Sequence, residues 1–172
     1  MESFLKLAEN RYSCRLYKND KIKEEDLSYI LECARLSPSA CNKQPWKIYV
    51  IKSREVLQKV YDSYNRDWLK TAPMVIVLCG KHSEAWHRPN DGKDHTDVDL
   101  SIMAEHIALA AADNGLSTCW ICNFEKSKLE EAIGLDSADE EPIVMMPIGY
   151  SADDDKTHAK TRKSLEEIVI YK

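Results

Sequence analysis

Apolar residues recur along this chain in two rhythms, one helical and one of strand length. Leu27, Ile30, Leu31 and Ala34 share a helical face behind the acidic run Glu24, Glu25 and Asp26, which predicts a helix within Asp20 to Leu36, ended by Pro38. Residues 2 to 9 read as a short opening helix, and Arg54 to Tyr64 as another. The strongest helical pattern has Asp97 or Asp99 as its cap, Ile102, Met103, Ile107, Leu109 and Ala110 as its apolar surface, and Gly115 just past its end. Its alanines at 104, 108, 110, 111 and 112 let neighbouring backbone come close. Glu125 to Ile133 predicts a further helix, stopped at Gly134.

The strand rhythm begins at Trp46 to Ile51, which alternates, and continues at Met74 to Leu78, an uninterrupted apolar run expected of a central strand covered on both faces. Leu116 to Ile121, Ile143 to Ile148 and Ile168 to Tyr171 are the remaining predicted strands. Lys81 to Thr96 is polar and irregular and predicts a mobile loop. The acidic runs Asp139-Glu140-Glu141 and Asp153-Asp154-Asp155 predict solvated turns. There are no repeats or low-complexity segments.

The 172 residues fit one domain, residues 1–172, large enough to bury a core without disulfides. With 24 basic against 29 acidic side chains the chain is acidic overall and gives no reason to expect a nucleic-acid partner. The opening residues lack an apolar signal core and no stretch reaches membrane-spanning length, so a soluble, cytoplasmic protein with no membrane partner is expected. The six cysteines, at 14, 33, 41, 79, 119 and 122, are expected to stay reduced.

Against that acidic background, two basic clusters stand out at opposite ends: Arg11-Tyr12-Ser13-Cys14-Arg15 and Lys160-Thr161-Arg162. Each offers a planar guanidinium with a hydroxyl or ammonium beside it, the donors that a phosphate monoester takes. Between them, Ser37-Pro38-Ser39-Ala40-Cys41-Asn42-Lys43-Gln44-Pro45-Trp46 is a rigid turn with two side-chain amides suited to the polar edge of a heterocycle. Phosphate at one end and a polar ring at the other point to a nucleotide-like cofactor.

These segments, together with Asp97 to Phe124, which contains Gly115-Leu116-Ser117-Thr118-Cys119-Trp120-Ile121, and with Pro147-Ile148-Gly149-Tyr150, resemble the flavin-dependent nitroreductase family in order and spacing over nearly the whole chain. The resemblance implies an α+β fold with a central mixed β-sheet surrounded by helices. It also implies a homodimer with FMN at the subunit interface, in which the C-terminal segment adds to the partner's sheet. By the same resemblance, Arg11, Ser13, Lys160 and Arg162 match positions that hold the FMN phosphate, with Tyr12 in the same stretch. Arg15 matches a basic residue against the pyrimidine side of the ring, where a cation stabilises the anionic reduced flavin. Pro38, Ser39 and Ala40 match residues lining the ring, and Asn42 and Gln44 a polar pair near it. Cys119, Trp120, Ile121, Cys122 and Asn123 match the stretch passing the flavin's reactive face, with a departure at Cys122-Asn123, where the family often has glycine.

The activity so implied is ping-pong hydride transfer from NADH or NADPH through flavin N5 to a small acceptor such as a nitroaromatic or quinone. In it the cofactor carries the electrons and no protein side chain is a catalytic acid or base. Two other readings stay open on the sequence: a flavin-binding protein without turnover, and a thiol-disulfide oxidoreductase using Cys119-Trp120-Ile121-Cys122. The dithiol reading is weakened because its motif lies at the end of a predicted strand rather than at a helix start. His82, His87 and His95 lack metal-ligand spacing and are expected on a solvent-exposed loop, with Trp86 a candidate to cover the substrate; His106 is expected to be a satisfied structural residue.

Overall fold

The computed structural model describes residues 3–135, 138–152 and 160–172. Its core strand is β2 (Met74–Lys81), whose first seven residues, Met74 to Gly80, are all buried. Side chains on a strand alternate between faces, and here each face has its own helical cover. Met74, Ile76 and Leu78 pack with Ile30 and Ala34 of α2 (Glu24–Arg35) and with Leu100, Met103 and Ile107 of α4 (Thr96–Asp113). Val75, Val77 and Cys79 pack on the other side with Leu57 and Val60 of α3 (Arg54–Asp62) and Leu129 of α5 (Lys126–Ile133). Burial on both faces is why β2 reads as an unbroken apolar run.

Around it the sheet runs β1-β2-β4-β3, with β1 Trp46–Ile51, β3 Ser117–Thr118 and β4 Glu140–Gly149. All of its ladders are antiparallel, and among the described residues parallel pairing is confined to a single bridge between Ser13 and Thr118. The opening helix is α1 (Phe4–Asn10), and α5 ends where expected, with Gly134 left-handed at φ 67°. No helix among the described residues is long and apolar enough to cross a membrane.

Several expectations need correction. The acidic turn expected at Asp139 to Glu141 is instead the start of β4: Glu140 is buried, its carboxylate bonded by the Lys47 ammonium and by the Tyr49 hydroxyl at 3.3 Å. The strand expected over Leu116 to Ile121 pairs only at Ser117–Thr118, and Ile121 makes a lone bridge to Met145. The start of α4 is held by neither Asp97 nor Asp99; Asp94 accepts from the Thr96 N–H at 2.7 Å and the Thr96 hydroxyl at 2.5 Å. The last strand expected at Ile168 to Tyr171 is replaced by a short helix, α6 (Leu165–Ile168), closed by a reciprocal Ser164–Glu167 capping box. Val169 to Lys172 lie exposed beyond it without strand pairing. The Asp153-Asp154-Asp155 run lies outside the described residues.

Candidate cofactor site

The N-terminal basic segment is pinned from both sides. Ser13 bridges Thr118, and the Cys14 N–H donates to the Thr118 carbonyl at 3.0 Å. On the other flank the Lys18 N–H donates to the Tyr150 carbonyl at 2.8 Å and the Ala152 N–H to the Leu16 carbonyl at 2.9 Å. Cys14 and Tyr17 turn inward, the Tyr17 hydroxyl donating to the Cys14 carbonyl at 3.0 Å. Arg11, Tyr12, Ser13 and Arg15 are left to line a cavity of about 230 Å3 whose opposite wall is Lys160, Thr161 and Arg162.

Lys160 closes this cavity at the carboxyl end of α1. Its ammonium donates to the carbonyls of Ala8, Glu9 and Arg11, where the negative end of a helix favours a cation. Burial, and then the positive charges of Arg11 and Arg162, push its pKa down. Arg11 has a loose acidic neighbour in Glu105, 3.9 Å from its Nε. The clustered cations repel one another and offer several N–H donors to one small space, which suits an anion of phosphate size.

The Ser37 to Trp46 turn is a separate feature with an unusual backbone. Cys41, Asn42 and Gln44 have φ of 51°, 53° and 51°, left-handed conformations that side chains other than glycine rarely adopt. The Gln44 N–H donates to the Ser39 hydroxyl at 2.9 Å and its side-chain amide to the Asn42 carbonyl at 3.3 Å. Pro38, Asn42 and Gln44 are exposed, Ser39 and Ala40 half-buried.

In the stretch 119–123, Cys119 and Ile121 enter the core beside α3 and α5 while Trp120 packs on the opposite core. Cys122 and Asn123 are exposed. Cys122 lines a second cavity, about 310 Å3, with His82, Asp97, Phe124, Lys126 and Glu141. None of the six cysteines is in a disulfide. Partial desolvation and the nearby Asp97 carboxylate raise the Cys122 pKa, and Cys119, the first thiol of the motif and the one that would attack a disulfide, is buried in the core, which disfavours a dithiol mechanism.

Six of the residues expected at the cofactor therefore share one cavity: Arg11, Tyr12, Ser13, Arg15, Lys160 and Arg162. Pro38, Ser39, Ala40, Asn42 and Gln44 do not line it, nor do Cys119 to Asn123. Around the expected loop, His82 is held between Asp94 Oδ2 at 2.6 Å and Glu141 Oε2 at 3.0 Å, and Trp86 packs edge-on against His95, centroids 4.7 Å apart, rather than standing free over a site. His106 Nδ1 lies 2.9 Å from the Ile102 carbonyl, as expected of a structural histidine. Sequence reasoning missed the buried Asp99 beside the turn and an apolar groove of about 740 Å3 flanked by Phe4, Leu7, Tyr29, Ile102 and Leu109.

The family model for the nitroreductase family matches residues 8–66 and 56–150. The chain belongs to the nitroreductase family. A crystal structure of a nitroreductase family protein from Clostridium difficile 630 is 37% identical and superimposes with a TM-score of 0.91, covering 99% of this chain and 98% of that one. An Archaeoglobus fulgidus protein provisionally named NADH dehydrogenase/NAD(P)H nitroreductase is 32% identical over 165 residues, 90% of this chain and 88% of its own length. The major NAD(P)H-flavin oxidoreductase of Aliivibrio fischeri is 39% identical over 100 residues, 54% of this chain and 43% of its own length. In this chain the fold carries both the basic cavity and the left-handed turn.

Proposed function

We propose that this nitroreductase-family chain is an FMN-dependent NAD(P)H oxidoreductase that reduces a small nitroaromatic- or quinone-like acceptor. Residues 1–172 would act as one FMN-binding unit within a homodimer. The observation that carries the reading is the cavity at Arg11, Ser13, Lys160 and Arg162, where cations press against one another and an anionic phosphate would relieve the repulsion. When bound, FMN supplies the hydride chemistry between nicotinamide and acceptor.

The chain's own part is binding and electrostatics. Arg11 and Arg162 offer charge-assisted donors to the phosphate, and Ser13 its hydroxyl. Arg15, beside them on the rim, is the cation for the ring's pyrimidine side, and Asn42 and Gln44 supply amides for its polar edge. The turn does not line the phosphate cavity of its own chain, which supports a site completed by the turn of a second copy. The names of the Archaeoglobus and Aliivibrio relatives point to the same donor and to a flavin.

The test is the visible spectrum of the purified protein, identification of pigment released by heat, and bleaching on addition of NADH or NADPH with reoxidation by an acceptor. Released FMN bleached by either nucleotide supports the reading. A protein that neither carries nor takes up FMN overturns it, and one that binds FMN without oxidising NAD(P)H is a flavin-binding protein without turnover.

A further inference from the structure

The left-handed turn at Cys41, Asn42 and Gln44 needs an explanation, because residues held in sparsely populated backbone regions persist only where the surroundings over-determine them. Its entry is fixed by the Ser37 N–H bonded to the Ala34 carbonyl at 3.1 Å, and its exit by the Lys81 N–H bonded to the Pro45 carbonyl at 2.8 Å. Between those ends the Ala40 N–H donates to Oδ1 of Asp99 at 2.9 Å, a bond from the turn to the first turns of α4, 59 residues later in the chain.

Asp99 is 1% exposed, beside the fully buried Leu100. A carboxylate sealed from water is costly unless hydrogen-bonded, and its Oδ2 is buried without a hydrogen-bond partner among the described residues. The start of an 18-residue helix makes this a tolerable place for negative charge. An apolar side chain at 99 would meet the same core without the desolvation cost. It would not accept the Ala40 N–H.

We propose that Asp99 is a positioning residue for the cofactor ring: by holding Ala40 it fixes the strained turn, so that the exposed amides of Asn42 and Gln44 keep a set geometry towards bound FMN. This rests on the FMN reading given above. Asp99 touches no reacting group, and its effect passes through the turn.

The experiment compares Asp99→Asn, which keeps an oxygen for Ala40, with Asp99→Ala, which does not. Two readouts are taken: FMN affinity by fluorescence titration, and the rate at which trypsin cuts the FMN-free protein after Lys43, the exposed lysine inside the turn. Asp99→Ala is expected to weaken FMN roughly tenfold or more and to speed cleavage at Lys43, with Asp99→Asn near wild type in both. Faster cleavage with unchanged FMN affinity overturns the proposal, because the turn would then be anchored but not positioning. No change in either readout overturns it as well. If wild type itself binds no FMN, the functional reading fails and the proposal with it, and the wild-type titration identifies that case. Should Asp99→Ala not fold, Asp99→Glu keeps the charge and displaces the oxygens by one methylene. It must show the same loss of FMN; wild-type affinity there would mean that charge at the helix start matters and the Ala40 bond does not.

Discussion

Ser13 sits in a parallel bridge with Thr118, and the next residue's N–H donates to the Thr118 carbonyl at 3.0 Å. This pairing makes the basic segment an extension of the sheet edge, so Arg11 and Arg15 are placed by β3 and not by a free terminus. Arg11→Ala is expected to weaken FMN binding by roughly tenfold to a hundredfold, the loss of one charge-assisted hydrogen bond. Arg162→Ala should act in the same direction and less strongly, because Arg162 is exposed. Fluorescence titration of FMN against each variant measures this, and inorganic phosphate should compete less effectively in both.

His82 lies with Nδ1 2.6 Å from Asp94 and Nε2 3.0 Å from Glu141. Carboxylates accept, so the ring satisfies both partners only with both nitrogens protonated. The bond to Asp94 is the largest cause of its raised pKa; burial opposes it, and Glu141 adds to it. The other titratable neighbours are His87, 3.7 Å from Asp94, Lys126, 3.2 Å from Glu141, and Asp139. A raised folded-state pKa contributes stability that is fully present below the unfolded histidine value of about 6.5 and is lost as pH rises through the folded value. Burial works against the Asp94 carboxylate, yet bonds from Thr96 and then His82 hold it down at about 2. Its contribution is present above the unfolded value of about 3.9 and lost as pH falls towards that depressed pKa. The FMN-free protein should therefore lose melting temperature relative to His82→Gln as pH is raised above about 6.5. A difference that stays constant from acid to alkaline pH would exclude this clamp.

Which features could be read in advance follows from how local their cause is. β1 and β2 declare themselves because the core covers them along their length, and α5 because Gly134 marks its end. Glu140 does not, since the ammonium that makes its burial tolerable comes from Lys47, 93 positions away. Nor does the role of Asp99, which reads as a helix cap, since its partner Ala40 lies 59 positions away. At the C-terminus, the β-branched run Ile168-Val169-Ile170 outweighed a local signal that was present, Ser164 followed by Glu167, and the capping box decides the outcome. The basic clusters were visible individually. Their meeting depends on Lys160 reaching the Arg11 carbonyl across 149 residues, which residue spacing alone does not disclose.

Gly80 has no room for a side chain. A Cβ there would lie 2.1 Å from Thr96 Cγ2, and Thr96 cannot swing aside without breaking its hydroxyl bond to Asp94. Gly80→Ala is expected to destabilise the fold by about 1–3 kcal/mol, the usual cost of overpacking. Thr96→Ser removes the offending methyl and keeps the hydroxyl, so the double variant should recover most of that loss. Denaturant melts of the two single variants and the double variant give the coupling energy directly; an additive result would mean that the strain is relieved elsewhere, such as at Leu100, whose Cδ1 lies 3.6 Å from the same point.

The C-terminal segment tests the homodimer. Leu165 is 70%, Ile168 60%, Ile170 82% and Tyr171 94% exposed, an apolar arm with no core of its own to cover. Burying such side chains is worth about 1.5–3 kcal/mol each, and in a two-fold dimer each is counted twice. Truncation after Lys163 is therefore expected to shift the protein towards monomer in light scattering at micromolar concentration. It leaves Lys160 and Arg162 in place, so the phosphate cavity keeps its cations. A fall in FMN affinity on truncation would then report loss of the second subunit rather than loss of phosphate contacts. A truncated chain that remains dimeric and holds FMN at wild-type affinity would show that the arm contributes to neither. The apolar groove between Phe4, Tyr29 and Leu109 would then be the next candidate for the interface, and Leu109→Glu the substitution expected to break the dimer.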